Sequence, residues 1–183
     1  MFFRMFTGHI LGNRIVVWDI NESRELYRLG FYGKPLGIHK PKNFDFQAPL
    51  ILDLIEGLYL VEKNFLRVLD KNGKEVPYKA LFKICEKDYV DFGRKYAVYK
   101  DLREKNYIVL PGIKFGCDFA VYEKGPGIDH APYIVRVVKD TDKLSATYLV
   151  LSGRLATTVR KRFIIAIADG VCPKYLAFEW WKG

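Results

Sequence analysis

Between residues 107 and 181 the chain reads as three short apolar runs, one run of 18 residues, then two more short apolar runs. YIVLPGI, KFGCDFAVYEK and PYIVRVVKD are rich in β-branched and aromatic residues and separated by Gly and Pro, which predicts three strands. LSATYLVLSGRLATTVRK (144–161) predicts one helix, and RFIIAIADG and KYLAFEWW predict two last strands. Preceded by a helix, this order points to an α/β (α+β) domain whose central mixed sheet is flanked by helices.

The first half reads as a smaller mixed module. RIVVWDI (14–20) is strand-like, ESRELYRLG (22–30) a short helix closed by Gly30, and APLILDLIEGLYLVEKNF (48–65) one longer helix with apolar residues at helical spacing. LRVLDKNGKEVPY carries an Asn72-Gly73 turn between strand-like segments. KALFKICEKD and DFGRKYAVYKDLREKN predict two helices meeting near residue 88. The change of pattern near residue 85 divides the chain into an N-terminal mixed α/β domain, 1–85, and a C-terminal domain, 86–183.

Half of the chain is hydrophobic, enough for a real core, so disorder is excluded. Lys and Arg outnumber Asp and Glu by 30 to 21, and the resulting +9 favours a polyanionic partner such as nucleic acid or an anionic membrane surface. The apolar runs are short and broken by charges, and MFFRMFTGHILGNR lacks the features of a signal peptide, so the expectation is a soluble cytoplasmic protein without membrane segments. Cys85, Cys117 and Cys172 are far apart with no CxxC pair, which points to small core residues and not to a disulfide scaffold or a zinc site.

Three groups in the second half suggest chemistry: Tyr122 ending one strand, His130 beyond a Gly-Pro-Gly loop, and Lys161 where helix meets strand. Such a set lacks the paired carboxylates that hold metal ions in phosphodiester hydrolysis. It suits metal-free, cofactor-free chemistry on a phosphodiester; if the substrate is RNA, its own 2′-OH can attack the adjacent phosphorus. The enzyme must then remove that proton, protonate the leaving 5′-oxygen and stabilise the phosphorane. Histidine, with a reference pKa of about 6.5, suits the acid role, whereas tyrosine, at about 10, needs a cationic neighbour to act as base. Lys161 supplies that charge. Taken singly, each has a plainer reading: a packing tyrosine, a solvated loop histidine and a charged helix end.

The stretch YKDLREKNYIVLPGIKFGCDFAVYEKGPGIDHAPYIVRVV, followed by RLATTVRKRFIIAIADG and the terminal EWWKG, closely resembles the catalytic domain of the archaeal tRNA-splicing endonucleases. The family pattern is YxDLRxxGY, G-K-F/Y-G-x-D-F-x-V/L-Y, a histidine before a Y-x-V strand, and R-x-A-x-x-V-R-K entering an IAI strand. Nearly every position is matched between residues 97 and 168; the first half matches more loosely. A departure from the usual glycine spacing at Asn106 and at Leu110-Pro111-Gly112 leaves the site untouched. The resemblance implies a restriction-endonuclease-like catalytic domain whose triad is Tyr122, His130 and Lys161, without a metal. It implies that Arg154, seven residues before Lys161 and expected on the same helix face, helps clamp a flipped-out bulge base. Trp180 and Lys182 match the family's aromatic-plus-basic ending and are candidates for RNA contact.

KPLGIHKPKNFDFQ (34–47) is an insertion that resembles the extra loop of a crenarchaeal-type subgroup whose enzymes combine catalytic and structural subunits. It is expected to be a stiff basic arm outside the core elements, with Lys40 and Lys42 toward RNA. The implied partner is precursor tRNA with a bulge-helix-bulge, cut by a tetramer: two of these chains with two homologous structural subunits, or, less favoured, four identical chains. An acidic loop enters a neighbour's basic cleft in that family, and IADGVCPK, with Asp169, occupies its position. Two other functions remain open at this stage: a non-catalytic RNA-binding subunit of the same complex, and a metal-dependent restriction-type nuclease using Asp118 and Glu123.

Overall fold

A computed structural model describes residues 5–38, 41, 43–128, 130–169 and 172–179. The chain divides into two compact units, residues 1–92 and 93–183.

In the first unit, β1 (Phe6–Leu11), β2 (Arg14–Val17), β3 (Lys34–Pro35), β4 (Leu50–Asp53) and β5 (Leu66–Leu69) form one sheet in the order β3-β4-β2-β1-β5. Only the β1–β5 pair is parallel. The helices are α1 (Ile20–Gly30), α2 (Leu54–Glu62) and α3 (Tyr78–Asp88). Ile15, Leu50, Leu52, Leu58 and Leu60 are fully buried between sheet and helix. At Gly57 a Cβ would come within 2.2 Å of Ile15 Cδ1, so α2 can lie this close to β2 only because that residue has no side chain.

Three sequence expectations are corrected here. Residues 48–65 are not one helix: Leu50–Asp53 form β4, and Asp53 then caps α2, its carboxylate accepting from the Ile55 N–H while Glu56 accepts from the Asp53 N–H. This capping box stops strand and starts helix at one residue. Second, α1 ends one residue later than its glycine suggests: Gly30 is helical, and Phe31 takes the left-handed conformation, φ 54°, with its ring buried against Tyr27 and Phe44. Third, the 34–47 insertion is not a free arm. Its start forms the edge strand β3, Phe46 is buried, and Arg24 and Arg28 of α1 hold Phe46 and Asp45. Lys40 and Lys42 lie outside the described residues.

The second unit follows the predicted order closely. After α4 (Phe92–Glu104) come β6 (Ile108–Pro111), one 3-10 turn (Ile113–Phe115), β7 (Phe119–Tyr122), β8 (Tyr133–Val138), α5 (Ala146–Thr158), β9 (Arg162–Ile167) and β10 (Lys174–Phe178). The sheet order is β10-β9-β8-β7-β6; β8 and β9 are parallel, joined through α5, and the other pairs are antiparallel. Ile134, Phe163, Ile165 and Ala156 form the centre of the core between α5 and the sheet. This unit holds 16 of the 30 Lys and Arg but 9 of the 21 Asp and Glu, so +7 of the +9 sits in it.

Several motif residues serve this scaffold. Buried Arg103 donates to the Tyr99 hydroxyl at 3.0 Å and to the Val109 carbonyl at 3.1 Å, fixing α4 to β6. Asp101 accepts from the Tyr175 hydroxyl at 2.5 Å and pairs with Lys105, tying α4 to β10. Asn106 sits at φ 65°, a conformation that asparagine shares with glycine at little cost.

Candidate active site

The candidate triad is spread over the sequence, its outer members, Tyr122 and Lys161, lying 39 positions apart. Strand register brings these two together. In the antiparallel β7–β8 pair Val121 faces Tyr133, and in the parallel β8–β9 pair Tyr133 faces Arg162. Tyr122, Pro132 and Lys161 each stand one residue beyond those partners, so all three fall at one end of the sheet. Two inter-strand spacings put the Tyr122 and Lys161 backbones about 10 Å apart, close enough for both side chains to reach one phosphate.

The loop from β7 to β8 turns through Gly125 and Gly127, with an Ile128 N–H to Gly125 carbonyl bond of 3.1 Å. It delivers an exposed His130 just before the buried Ala131, so the histidine side chain reaches solvent from an anchored base. Asp129 lies outside the described residues.

Lys161 is held from two directions. Its backbone is set by the end of α5, where Arg160 N–H bonds Thr157 O at 3.0 Å and Lys161 N–H bonds Ala156 O at 2.7 Å. These are the two bonds of a Schellman ending. Its ammonium donates to the Ala131 carbonyl at 2.6 Å and lies 5.0 Å from the centre of the Phe115 ring. The next amide, Arg162 N–H, bonds Pro132 O at 2.8 Å, so the lysine and the histidine loop are joined at two adjacent points. Sequence reasoning missed Phe115 and the Ala131 carbonyl. Phe115 lies within the K-F-G motif, whereas a backbone carbonyl leaves no mark in a sequence.

The expectation that Arg154 and Lys161 share a helix face does not hold, because α5 stops at Thr158 and the chain turns left-handed at Arg160. Arg154 is exposed on α5. Trp180 and Lys182 lie outside the described residues. Asp169 is drawn onto its own unit, accepting from Arg94 at 2.7 Å and from the Asp140 N–H, and its carboxyl is held below the usual range by the Arg94 hydrogen bond first. Gly170 and Val171, which follow it in the sequence, lie outside the described residues.

Asp118 and Glu123 stand at opposite ends of β7, about 16 Å apart along an extended chain. The Asp118 carboxylate contacts Lys95 at 3.0 Å, Arg136 at 3.7 Å and the Val137 N–H at 2.8 Å, and Glu123 accepts from the Tyr133 hydroxyl at 2.9 Å. Both are engaged within the scaffold, and among the described residues no three His, Cys, Asp or Glu side chains group as metal ligands. Cys85 and Cys117 are buried, as a core role requires, and burial pushes their thiols up to about 12 and about 11. Cys172 is exposed, so it is not a core residue.

Comparison with known proteins matches residues 92–171 to the tRNA intron endonuclease catalytic C-terminal domain and residues 6–82 to the N-terminal domain of the same enzymes. Together these span most of the chain. The chain belongs to the tRNA intron endonuclease family. Archaeal relatives agree: a tRNA-splicing endonuclease of Hyperthermus butylicus is 43% identical over 180 residues, covering 97% of this chain and 99% of the relative. The tRNA-splicing endonucleases of Saccharolobus solfataricus, at 43%, and of Saccharolobus islandicus strain M.14.25, at 42%, match over 181 residues, 97% of this chain and all of the relative. The two-domain architecture and mixed α/β class follow the family, and within it Tyr122, Ala131 and Lys161 form one neighbourhood. Among the described residues no helix is long and apolar enough to cross a membrane.

Proposed function

We propose that this member of the family is a catalytic subunit that excises introns from precursor tRNA at bulge-helix-bulge motifs. Its reaction needs no metal and leaves a 2′,3′-cyclic phosphate and a 5′-hydroxyl. The observation that carries this reading is the register placing Tyr122, the His130 loop and Lys161 at one sheet end. Tyr122 takes the proton of the attacking 2′-OH as the new O–P bond forms, His130 gives a proton to the departing 5′-oxygen as the old bond breaks, and Lys161 offsets the charge on the phosphorane. Against a non-catalytic subunit stands the presence of all three triad residues, which such a subunit would not need. The metal-dependent reading needs Asp118 and Glu123 together, and the strand between them keeps them apart.

RNA is the partner that the uneven charge suits, since +7 lies in the unit with the site. Arg154, Lys40, Lys42, Trp180 and Lys182 remain the proposed further contacts. For assembly, β10 is a sheet edge with Leu176 half exposed, beside a groove of about 250 Å³ lined by Ala146, Leu149, Val150, Gly153, Phe178 and Glu179. That apolar edge is a surface that association would cover. We favour two of these chains with two structural subunits.

Cleavage of a bulge-helix-bulge RNA in excess EDTA, with the RNA folded by monovalent salt, tests the chemistry. Full activity is expected. His130→Ala and Lys161→Ala should each lower the single-turnover rate tenfold or more with RNA affinity little changed, and Tyr122→Phe somewhat less. Loss of cutting in EDTA, or unchanged rates in all three variants, would refute the mechanism.

A further inference from the structure

Five residues other than glycine hold a left-handed backbone among the described residues: Phe31, Asn64, Asp91, Asn106 and Arg160. Asn and Asp tolerate this conformation. Phe31 is buried in an aromatic cluster that holds it there. Arg160, at φ 55°, has neither excuse: it is long, exposed, and among the described residues its guanidinium has no ion pair or hydrogen bond. It occupies the first position beyond the α5 cap, the place in a Schellman ending where glycine is strongly preferred. A conformational cost is therefore kept, immediately before Lys161, at a residue whose side chain returns no hydrogen bond or ion pair to the fold among the described residues. Unrelieved outliers of this kind gather at functional sites.

From this we infer that Arg160 is a substrate-binding residue, whose guanidinium takes an RNA phosphate neighbouring the scissile one. The inference rests on the proposed RNA cleavage at Lys161. Its chemistry fits: the planar guanidinium presents paired N–H donors to phosphate oxygens, and it remains charged at any pH the enzyme meets. The same left-handed turn that ends α5 sets both the Lys161 backbone and the Arg160 side chain, so one local structure presents two adjacent cations to the RNA strand. Arg162, the next basic residue, differs in being paired already, its Nε 3.1 Å from Glu179 Oε1.

Substitution by glycine separates fold from function here, because glycine is the residue that the backbone prefers. Arg160→Gly in the full chain, in whichever assembly cleaves precursor tRNA, should melt at the same temperature as the parent or higher. It should bind RNA more weakly, with the slope of log affinity against log salt reduced by about 0.7 to 0.9, one phosphate contact. At subsaturating RNA its cleavage should fall tenfold or more. Arg160→Lys should keep the salt slope. Parental affinity and slope in the glycine variant would overturn the proposal, as would a lysine variant behaving like the glycine one. A loss of stability in both Arg160→Gly and Arg160→Asn would make the residue structural and overturn it too. Parent and Lys161→Ala controls keep the two ideas apart: a parent that does not cut, or Lys161→Ala cutting at the parental rate, defeats the proposed reaction, whereas an active parent, an inactive Lys161→Ala and an indifferent Arg160→Gly defeat only the role of Arg160.

Discussion

At the scale of single residues, the site depends on how an ammonium at the end of a flexible four-carbon stem is held in one place. Lys161 meets this with one carbonyl and one ring, Ala131 O at 2.6 Å and Phe115 at 5.0 Å. Ring and cation attract by about 0.5–1 kcal/mol where water has access, a factor of roughly 2–5 in any population the contact favours. Phe115→Leu keeps apolar bulk against the core and removes the ring's negative face. Its single-turnover rate should fall roughly 2–5-fold with RNA affinity unchanged, while Phe115→Tyr should keep the parental rate. A parental rate in Phe115→Leu would show that the carbonyl alone positions the lysine. Phe115→Ala should in addition cost about 2 kcal/mol of stability, because the ring also packs on the core of its unit.

At the scale of elements, Asp53 shows how one residue divides a run that periodicity alone reads as continuous. Leu50–Asp53 alternates buried and half-buried side chains, while Leu54–Glu62 is buried nearly all round, and both patterns fit a long apolar helix when read without partners. The carboxylate that caps α2 is itself largely buried, and burial raises its pKa despite the Ile55 N–H and Arg14 pulling it down. The sign follows: a carboxyl raised in the folded state contributes most below its unfolded pKa, and that contribution is lost as pH rises through the folded value. Asp53→Asn, which keeps the cap and removes the charge, should be as stable as the parent or more so at pH 7. It should also flatten the pH dependence of stability above about pH 4. Asp53→Ala should lose about 0.5–2 kcal/mol. Denaturant titrations at pH 5 and pH 7 check both. Equal stability of the Ala and Asn variants would remove the cap from the account.

At the scale of the whole molecule, the proposed reaction sets one triad per chain against a substrate with two scissile sites related by an approximate two-fold axis, and on that proposal at least two copies are needed. With a chain mass of 21.3 kDa, light scattering should find the chain alone at about 43 kDa, with cleavage restored only on adding the structural subunit. Full activity of the chain alone as a tetramer near 85 kDa would remove the need for a different partner, and full activity as a monomer would refute the assembly argument. Leu176→Lys, placing a charge on the β10 edge, should give monomers that do not cut.

Much of the catalytic unit was legible in the sequence. Its five strands and α5 followed from short β-branched runs and one helical run, because backbone preference and side-chain period act within a few residues. Tyr122, His130 and Lys161 were singled out through a motif, and they remain the proposed triad, since the proposed chemistry needs those side-chain types whatever surrounds them. The first unit was less legible: β1 went unread in FTGHIL, β4 was absorbed into a helix, and the anchored ends of the 34–47 insertion looked like a loop. Each owes its state to partners far along the chain, β1 to β5 across some 60 residues and Phe46 to α1. Tertiary structure alone decided the rest. Register set Tyr122 level with Lys161, a folded-back turn laid Phe115 beside the ammonium, and the ending of α5 left Arg160 in the left-handed conformation, its guanidinium unpaired among the described residues. Those are distances between segments, settled by hydrogen-bond ladders and packing across the sheet. No local run of residues encodes them.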